Sequence, residues 1–209
     1  IPSGTGNDFA KASGISLDWQ QAAQQLAERL GSERDYRRVD VGLMNDRYFA
    51  NGAGIGFDAR VNEFAHSYRW PIGDLVYLLA IFRGMVEGIA TPRMHIKGDD
   101  FEWDGPITLA NVASGPWVGG MFHIAPGADN SDGVFDLIIA APVTRTRILS
   151  LLPTLMRGQH LNEKEITHVP LTKVVVEADA PVSSHLDGEI QPWQSRFEIS
   201  LLPGALRLL

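Results

Sequence analysis

From residue 91 to the end, the chain reads as short strand-like segments cut by turns. This pattern limits the fold more than any other feature. Candidate strands cover residues 93–97, 101–103, 107–113, 135–141, 166–178, 182–186, 196–202 and 205–209. Between several of them lie turn-forming runs: Gly98-Asp99-Asp100, Asp104-Gly105-Pro106, the polar turn at residues 129–133, and Asp187-Gly188. Regular short strands punctuated this way predict a sandwich. The 21 Gly and 12 Pro residues also favour sheet over a helical bundle.

The earlier part differs. A short helix is predicted over residues 5–12, ended by Gly14, and a second over 17–30, started near Asp18 and stopped at Gly31. Trp19, Ala22, Ala23, Leu26, Ala27 and Leu30 recur at helical spacing there. Residues 36–43 and 47–53 read as a hairpin around Asn45-Asp46. Gly52, Gly54 and Gly56 are expected to break the chain before a helix at residues 57–66. Further helices are predicted at 73–88 and at 144–158, the latter kinked or restarted by Pro153. The fold class is therefore α+β, mainly β. Residues 1–34 form the tail of an α/β domain, 35–202 a β-sandwich-like domain with inserted helices, and 203–209 a strand returning toward the first domain.

Composition narrows the function. A net charge of -7 argues against a general nucleic-acid binder, though not against a nucleotide held in a local site. The absence of cysteine removes disulfides, thiolate catalysis and Cys-ligated zinc. No secretory leader pattern is visible, and the longest apolar run, residues 75–86, is interrupted by Arg83. A cytoplasmic protein able to touch the inner face of a membrane is the expectation.

Four stretches could carry chemistry. Gly4-Thr5-Gly6-Asn7-Asp8 offers backbone donors, a hydroxyl and a carboxylate, as a phosphate loop would, but also resembles a common helix start. Asp40 stands in the apolar strand context Val39-Asp40-Val41-Gly42, where an edge or turn Asp is the plainer reading. Asp129-Asn130-Ser131-Asp132-Gly133-Val134 crowds oxygen donors suited to a hard cation, or is simply a solvated turn. Glu189 follows Leu186-Asp187-Gly188 at a strand end, where it could take a proton in a cleft; the alternative is an ordinary hairpin turn. The six histidines show no metal-ligand spacing and read mostly as surface or strand residues. Ser184, His185 and Asp187 are too close along a strand to form a hydrolytic triad.

Taken in order, these stretches and Tyr-Phe-Ala-Asn-Gly-Ala-Gly-Ile-Gly-Phe-Asp-Ala at residues 48–59 closely resemble the soluble diacylglycerol kinases of bacteria. That family is related to sphingosine kinases and, more distantly, to NAD kinases. The resemblance covers nearly the whole chain. It implies an ATP-dependent lipid kinase, with Thr5 and Asp8, in the loop with Gly4, Gly6 and Asn7, beside the nucleotide phosphates. It implies Asp40 in a water and metal network and Glu189 as proton acceptor for the lipid hydroxyl. It implies a structural Mg²⁺ at Asp129, Asp132 and Val134. The implied partner is a lipid with a free hydroxyl, with peripheral membrane contact and a homodimer as open expectations, and no nucleic acid.

The family's Gly-Gly-Asp-Gly-Thr motif does not occur in these 209 residues. The chain is thus expected to be the second domain plus the last helices of the first, and an NAD kinase-like enzyme or a non-catalytic binding fragment remain alternatives. A lipid also needs an apolar cleft. The faces of Leu75, Leu78, Leu79, Phe82, Met85 and Val86, and of Ile148, Leu149, Leu152, Leu155 and Met156, could line one. Ordinary core packing is the expectation for both unless a pocket open to the surface lies between them.

Overall fold

The computed structural model describes residues 1–31, 36–68 and 73–209; the expected domain boundary at 34/35 lies outside them. Two helices come first, α1 (Asp8–Ala12) and α2 (Trp19–Gly31). Asp18 caps α2: its Oδ1 accepts from the backbone N–H of Gln20 at 2.8 Å and of Gln21 at 3.1 Å. Ala22 is buried on the expected apolar face, whereas Trp19 and Leu30 are exposed.

The rest of the chain is an antiparallel sheet wrapped around one core. Its early strands are β1 (Arg37–Met44), β2 (Arg47–Phe49), β3 (Gly52–Gly56), β4 (Arg93–Gly98), β5 (Phe101–Pro106) and β6 (Leu109–Ala113). Its later strands are β7 (Phe135–Ala140), β8 (Ile166–Leu171), β9 (Lys173–Leu186) and β10 (Glu189–Leu208). The strand order is β2-β1-β10-β9-β3-β6-β7-β8, with β4 paired to β9 and β5. β9 bridges two layers: Val174 to Ala178 pair with β4, while Ser184 to Leu186 pair with β3. The ladder with β10 slips register around Gln194, where the long strands bend. Inward side chains from both layers, among them Met94, Ile96, Phe135, Leu137, Val176 and Phe197, meet in one fully buried cluster. The predicted α+β, mainly β, sandwich-like class is what the chain adopts.

Helices α3 (Phe57–Ser67), α4 (Leu75–Glu87) and α5 (Arg145–Met156) lie on the outside of the sheet. They form a second cluster, with Phe57, Val61, Phe64, Ile81, Met85 and Ile148 at its centre. Thr144 caps α5 by accepting from the Arg147 N–H, and Pro153 sits inside that helix.

Several expectations need correction. The Gly52, Gly54 and Gly56 run is not a break but strand β3, buried throughout. A Cβ on Gly54 would come within 2.2 Å of the His185 ring and 2.3 Å of the Asp58 carboxylate, so only glycine lets those groups pack over the strand. The second hairpin strand accordingly stops at Phe49. Residues 196–202 and 205–209 belong to one strand, β10, rather than two. Of the histidines read mostly as surface or strand residues, His160 is neither: it opens a short 3-10 helix and is 2% exposed, while His185 lies in β9 as expected, also 2% exposed. The six-residue apolar face of α4 does not act as a unit: Met85 is buried, while Leu75, Leu79, Phe82 and Val86 are exposed.

Asp40 explains how β10 stays continuous. Val39 pairs with Leu206 and Val41 with Leu202, so three residues of β10 bulge opposite Asp40 alone. The Asp40 carboxylate fills the gap, accepting from the Gly204 N–H at 2.7 Å and the Gly133 N–H at 2.8 Å. Asp40 is 2% exposed, so its charge is held by these two donors. Asp40→Ala is expected to lose on the order of 2–4 kcal/mol of stability, from two hydrogen bonds to a charged group. Urea titration of the 209-residue chain measures this, and unchanged stability would exclude the clamp.

Candidate active site

A cavity of about 720 Å³ lies between the outer face of the sheet and the helices. Its walls are apolar: Phe57 and Val61 from α3, Ile81 from α4, and Leu151, Leu152 and Leu155 from α5. At its solvent end stand Gly4, Thr5, Gly6, Asn7 and Asp8 together with Asp187, Gly188 and Glu189. The two motifs lie at opposite ends of the sequence, and the fold brings them to one opening. Core packing alone is therefore not the role of the run at 148–156, where Ile148, Leu152 and Leu155 line the cavity; none of the named residues of the 75–86 face does, and that helix reaches the cavity through Tyr77 and Ile81. Each gives part of its surface to a core and part to the cavity.

The glycine loop is shaped by its own residues. Asn7, at φ 51°, turns its side chain back, accepting from the Gly4 N–H at 3.0 Å and donating to the Gly4 carbonyl at 2.8 Å. Its amide therefore closes the loop rather than capping α1. Asp8 accepts from the Gly120 N–H through Oδ1 at 3.1 Å and Oδ2 at 3.2 Å, and pairs with Lys11 at 3.3 Å. Lys11 also donates to the Gly120 carbonyl. A second carboxylate, Asp74, stands near Gly120. Burial raises the Asp74 carboxyl above its ordinary value; Lys11 opposes the shift and Asp8 adds to it. The Tyr77 hydroxyl beside them is likewise raised, first by burial and then by the carboxylates of Asp8, Asp74 and Asp58.

The turn before Glu189 is held from several sides. The Asp187 carboxylate accepts from three successive backbone N–H groups, Ala50 at 2.7 Å and Asn51 and Gly52 at 2.8 Å. Asn62 of α3 donates to the Gly188 carbonyl at 2.8 Å, and the Gly188 N–H donates to His185 Nδ1 at 3.3 Å. Behind His185, Asp58 Oδ2 lies 3.2 Å from the ring Nε2 and accepts from Asn111 at 2.8 Å. Glu189 itself is exposed at the cavity opening.

The remaining predicted residues stand apart. Asp40, Asp129, Asp132 and Val134 do not line the cavity. They gather behind α1, tied to it by the Asn130 amide, which donates to the Ser13 hydroxyl at 3.0 Å. Arg37 closes this group, donating to Asn130 Oδ1 at 2.7 Å and lying 3.5 Å from Asp129 Oδ1. Like charge is crowded at the Asp132 side of the turn, and the Asp132 Oδ1 accepts from the Val134 N–H at 3.1 Å. Burial lifts the Asp132 carboxyl above its ordinary value against the opposing Val134 N–H, and Asp129, Asp136 and Asp40 add like charge. Asp129 fits a hard cation less well, because its Oδ1 already accepts from the Ser131 N–H at 3.0 Å and hydroxyl at 2.7 Å. Among the described residues, no group of three or more His, Cys, Asp or Glu side chains is gathered to hold a metal.

Sequence reasoning missed Asp58, Asn62, Asn111 and His185. The available signal was the alternate glycines of β3: a strand without side chains makes room for something large packed over it.

The buried Asp58 gives a pH signature. Burial alone would raise its carboxyl, but the His185 ring and the hydrogen bonds from His185 and Asn111 hold it below its ordinary value. The ionised group therefore stabilises the fold fully above the unfolded carboxylate value of ~4, and this is lost as the pH falls through the lowered folded value. The stability difference between wild type and Asp58→Asn is expected to be constant near neutrality and to shrink on acidification below pH ~4. Urea titrations across that range measure it, and a difference that holds or grows in acid would contradict the assignment.

Comparison with known proteins agrees with the architecture. The family model described as the YegS C-terminal NAD kinase beta sandwich-like domain matches residues 51–209. A diacylglycerol kinase of Mycobacterium tuberculosis (strain ATCC 25618 / H37Rv) is 32% identical over 216 residues, covering 100% of this chain and 67% of its own. A protein of Alcanivorax borkumensis named "Probable lipid kinase YegS-like" is 31% identical over 212 residues, covering 100% and 68%. A diacylglycerol kinase crystal structure from Bacillus anthracis superposes with a TM-score of 0.69 at 22% identity, covering 99% of this chain and 64% of that one. That last likeness concerns the fold alone. The chain spans about two thirds of the length of these relatives. By the family match and the identity along its whole length, the chain belongs to the bacterial diacylglycerol kinase and YegS-like lipid kinase family and carries its C-terminal β-sandwich-like domain.

Proposed function

We propose that the protein transfers the γ-phosphoryl group of ATP to the free hydroxyl of a lipid such as a diacylglycerol. The observation that supports this best is the meeting of two motifs at one apolar cavity. Residues 4–8 and Glu189 share its opening, while its inner wall is built from residues such as Ile81, Ile138 and Leu155. An acyl chain suits such a wall, and a hydroxyl at the opening would lie near a carboxylate. The relatives named diacylglycerol kinase and lipid kinase support the same substrate class. The apolar wall favours it over the dinucleotide of an NAD kinase-like enzyme.

In this reading Glu189 takes the proton of the lipid hydroxyl as its oxygen bonds to the γ-phosphorus. The bond to the β–γ bridging oxygen breaks, and ADP leaves. Thr5 and the loop N–H groups orient the phosphates. Asp8, charge-compensated by Lys11 and held by Gly120, positions the loop without facing a phosphate bare. A Mg²⁺ ion at the turn would be held by Asp132, with Asp129 and the Val134 carbonyl as further oxygen donors, and would neutralise the carboxylates crowded there. Asp40 shapes this turn through Gly133. No helix among the described residues is long and apolar enough to cross a membrane. In this reading the lipid is taken up from a membrane surface.

Two measurements test the proposal in the full-length protein. Glu189→Gln is expected to lower kcat for lipid phosphorylation ~100- to 10,000-fold, the usual contribution of a positioned base. Undiminished turnover would remove Glu189 from that role. Leu152→Trp, which fills the inner cavity, is expected to raise KM for a long-chain lipid while leaving KM for ATP unchanged. A variant equally efficient with long-chain lipid would place the acyl site elsewhere.

A further inference from the structure

The Gly188 peptide, next to Glu189, is gripped at both ends, by Asn62 on its carbonyl and by His185 on its N–H. The second grip depends on a proton that is not on the peptide. A ring nitrogen can accept from an N–H only through a free lone pair, so His185 Nδ1 is unprotonated. The ring proton is then on Nε2, which faces Asp58 Oδ2 at 3.2 Å. An ionised carboxylate accepts and never donates, so Asp58 selects this tautomer. Asn111, donating to the same oxygen at 2.8 Å, holds the carboxylate in place. Gly54 supplies the space, since a Cβ there would meet both the His185 ring and the Asp58 carboxylate. His185 is 2% exposed, so water does not substitute for either contact.

We infer that Asp58 and His185 are a positioning pair for the phosphoryl-transfer reaction: Asp58 fixes the Nε2–H tautomer of His185, whose Nδ1 then holds the Gly188 N–H and so aims Glu189 at the cavity opening. Both side chains also line the cavity, and the role assigned to them acts through Glu189. The inference rests on the reading of Glu189 as the base. It makes the adjoining helix and two strands part of the catalytic apparatus, since Asp58 comes from α3, His185 from β9 and Asn111 from β6.

The test is Asp58→Leu, which removes the oxygen that accepts from both Asn111 and the ring. Nε2–H is left without an acceptor, so neither the tautomer nor the ring orientation is fixed. A proton on Nδ1 faces the Gly188 N–H, and the grip on the turn is lost. Two readouts are taken. In the 209-residue chain, ¹⁵N chemical shifts of His185 are expected to report the Nε2–H tautomer alone in wild type and a switch, in part, to the Nδ1–H tautomer in Asp58→Leu. In the full-length protein, kcat for lipid phosphorylation is expected to fall about 100-fold, the effect of a small misplacement of a reacting group, with KM for lipid and for ATP unchanged.

A tautomer that does not switch, or a switch with unchanged kcat, overturns the inference while leaving Glu189→Gln to judge the base. A switch accompanied by full activity of Glu189→Gln overturns it from the other side, because there is then no base to position. Should Asp58→Leu not fold, His185→Asn and His185→Leu decide. The first keeps an acceptor for the Gly188 N–H and the second does not, so His185→Asn should retain the higher kcat. Equal rates would contradict the inference.

Discussion

Three backbone N–H groups in a row, those of Ala50, Asn51 and Gly52, converge on the Asp187 carboxylate. The site depends on this contact. It extends the β3–β9 pairing, which ends at Ala53 and Leu186, into the turn between β9 and β10 and the connection between β2 and β3. Asp187 adopts φ 49°, a left-handed conformation that Asp tolerates better than most residues. With Asp187 spent on the backbone, Glu189 is the carboxylate of the turn left facing the cavity opening. In the proposed reaction the two acidic residues of Asp-Gly-Glu thus divide the work, Asp187 holding the turn and Glu189 acting as base.

A sandwich already has a core, and a second apolar volume on its outer face needs its own walls. The helices α3, α4 and α5 supply them without closing completely, so their apolar residues split between packing and cavity. Burial of apolar area stabilises the helices on the sheet at roughly 25 cal/mol per Å², and the unfilled volume gives part of that up. Such a cost is characteristic of a site that holds an apolar ligand. The polar residues at the opening are held differently. Asn7 bonds back to Gly4, and Asp8 and Lys11 bond to each other and to Gly120, so the loop keeps its shape through side-chain contacts rather than by helix capping.

Much of this was legible in the sequence, for identifiable reasons. The strands and turns beyond residue 91 follow local rules, and Asp187-Gly188 makes the tight turn its dipeptide predicts. The glycines of β3 misled because glycine normally interrupts a strand. Here the reason for glycine is a pair of side chains that arrive from α3 and β9, far off in sequence. The bulge opposite Asp40 was invisible for the same reason: its partners, Gly133 and Gly204, are long-range. An apolar helical stripe does not say what covers it, so the cavity could not be told from core. Glu189 and residues 4–8 could be named as candidates, but only the fold shows that they share an opening and that Asp40 and the 129–134 turn lie away from it.

In the proposed reaction an acyl chain lies between α3, α4 and α5 with its hydroxyl end at Glu189. Photo-crosslinking of the full-length protein with a diacylglycerol carrying a diazirine near the end of one chain, followed by peptide mapping, tests this most directly. Adducts are expected on inner-wall residues such as Ile148, Leu151 and Leu155. Adducts confined to the exposed face of Leu75, Leu79, Phe82 and Val86, with the inner wall unlabelled, would contradict it.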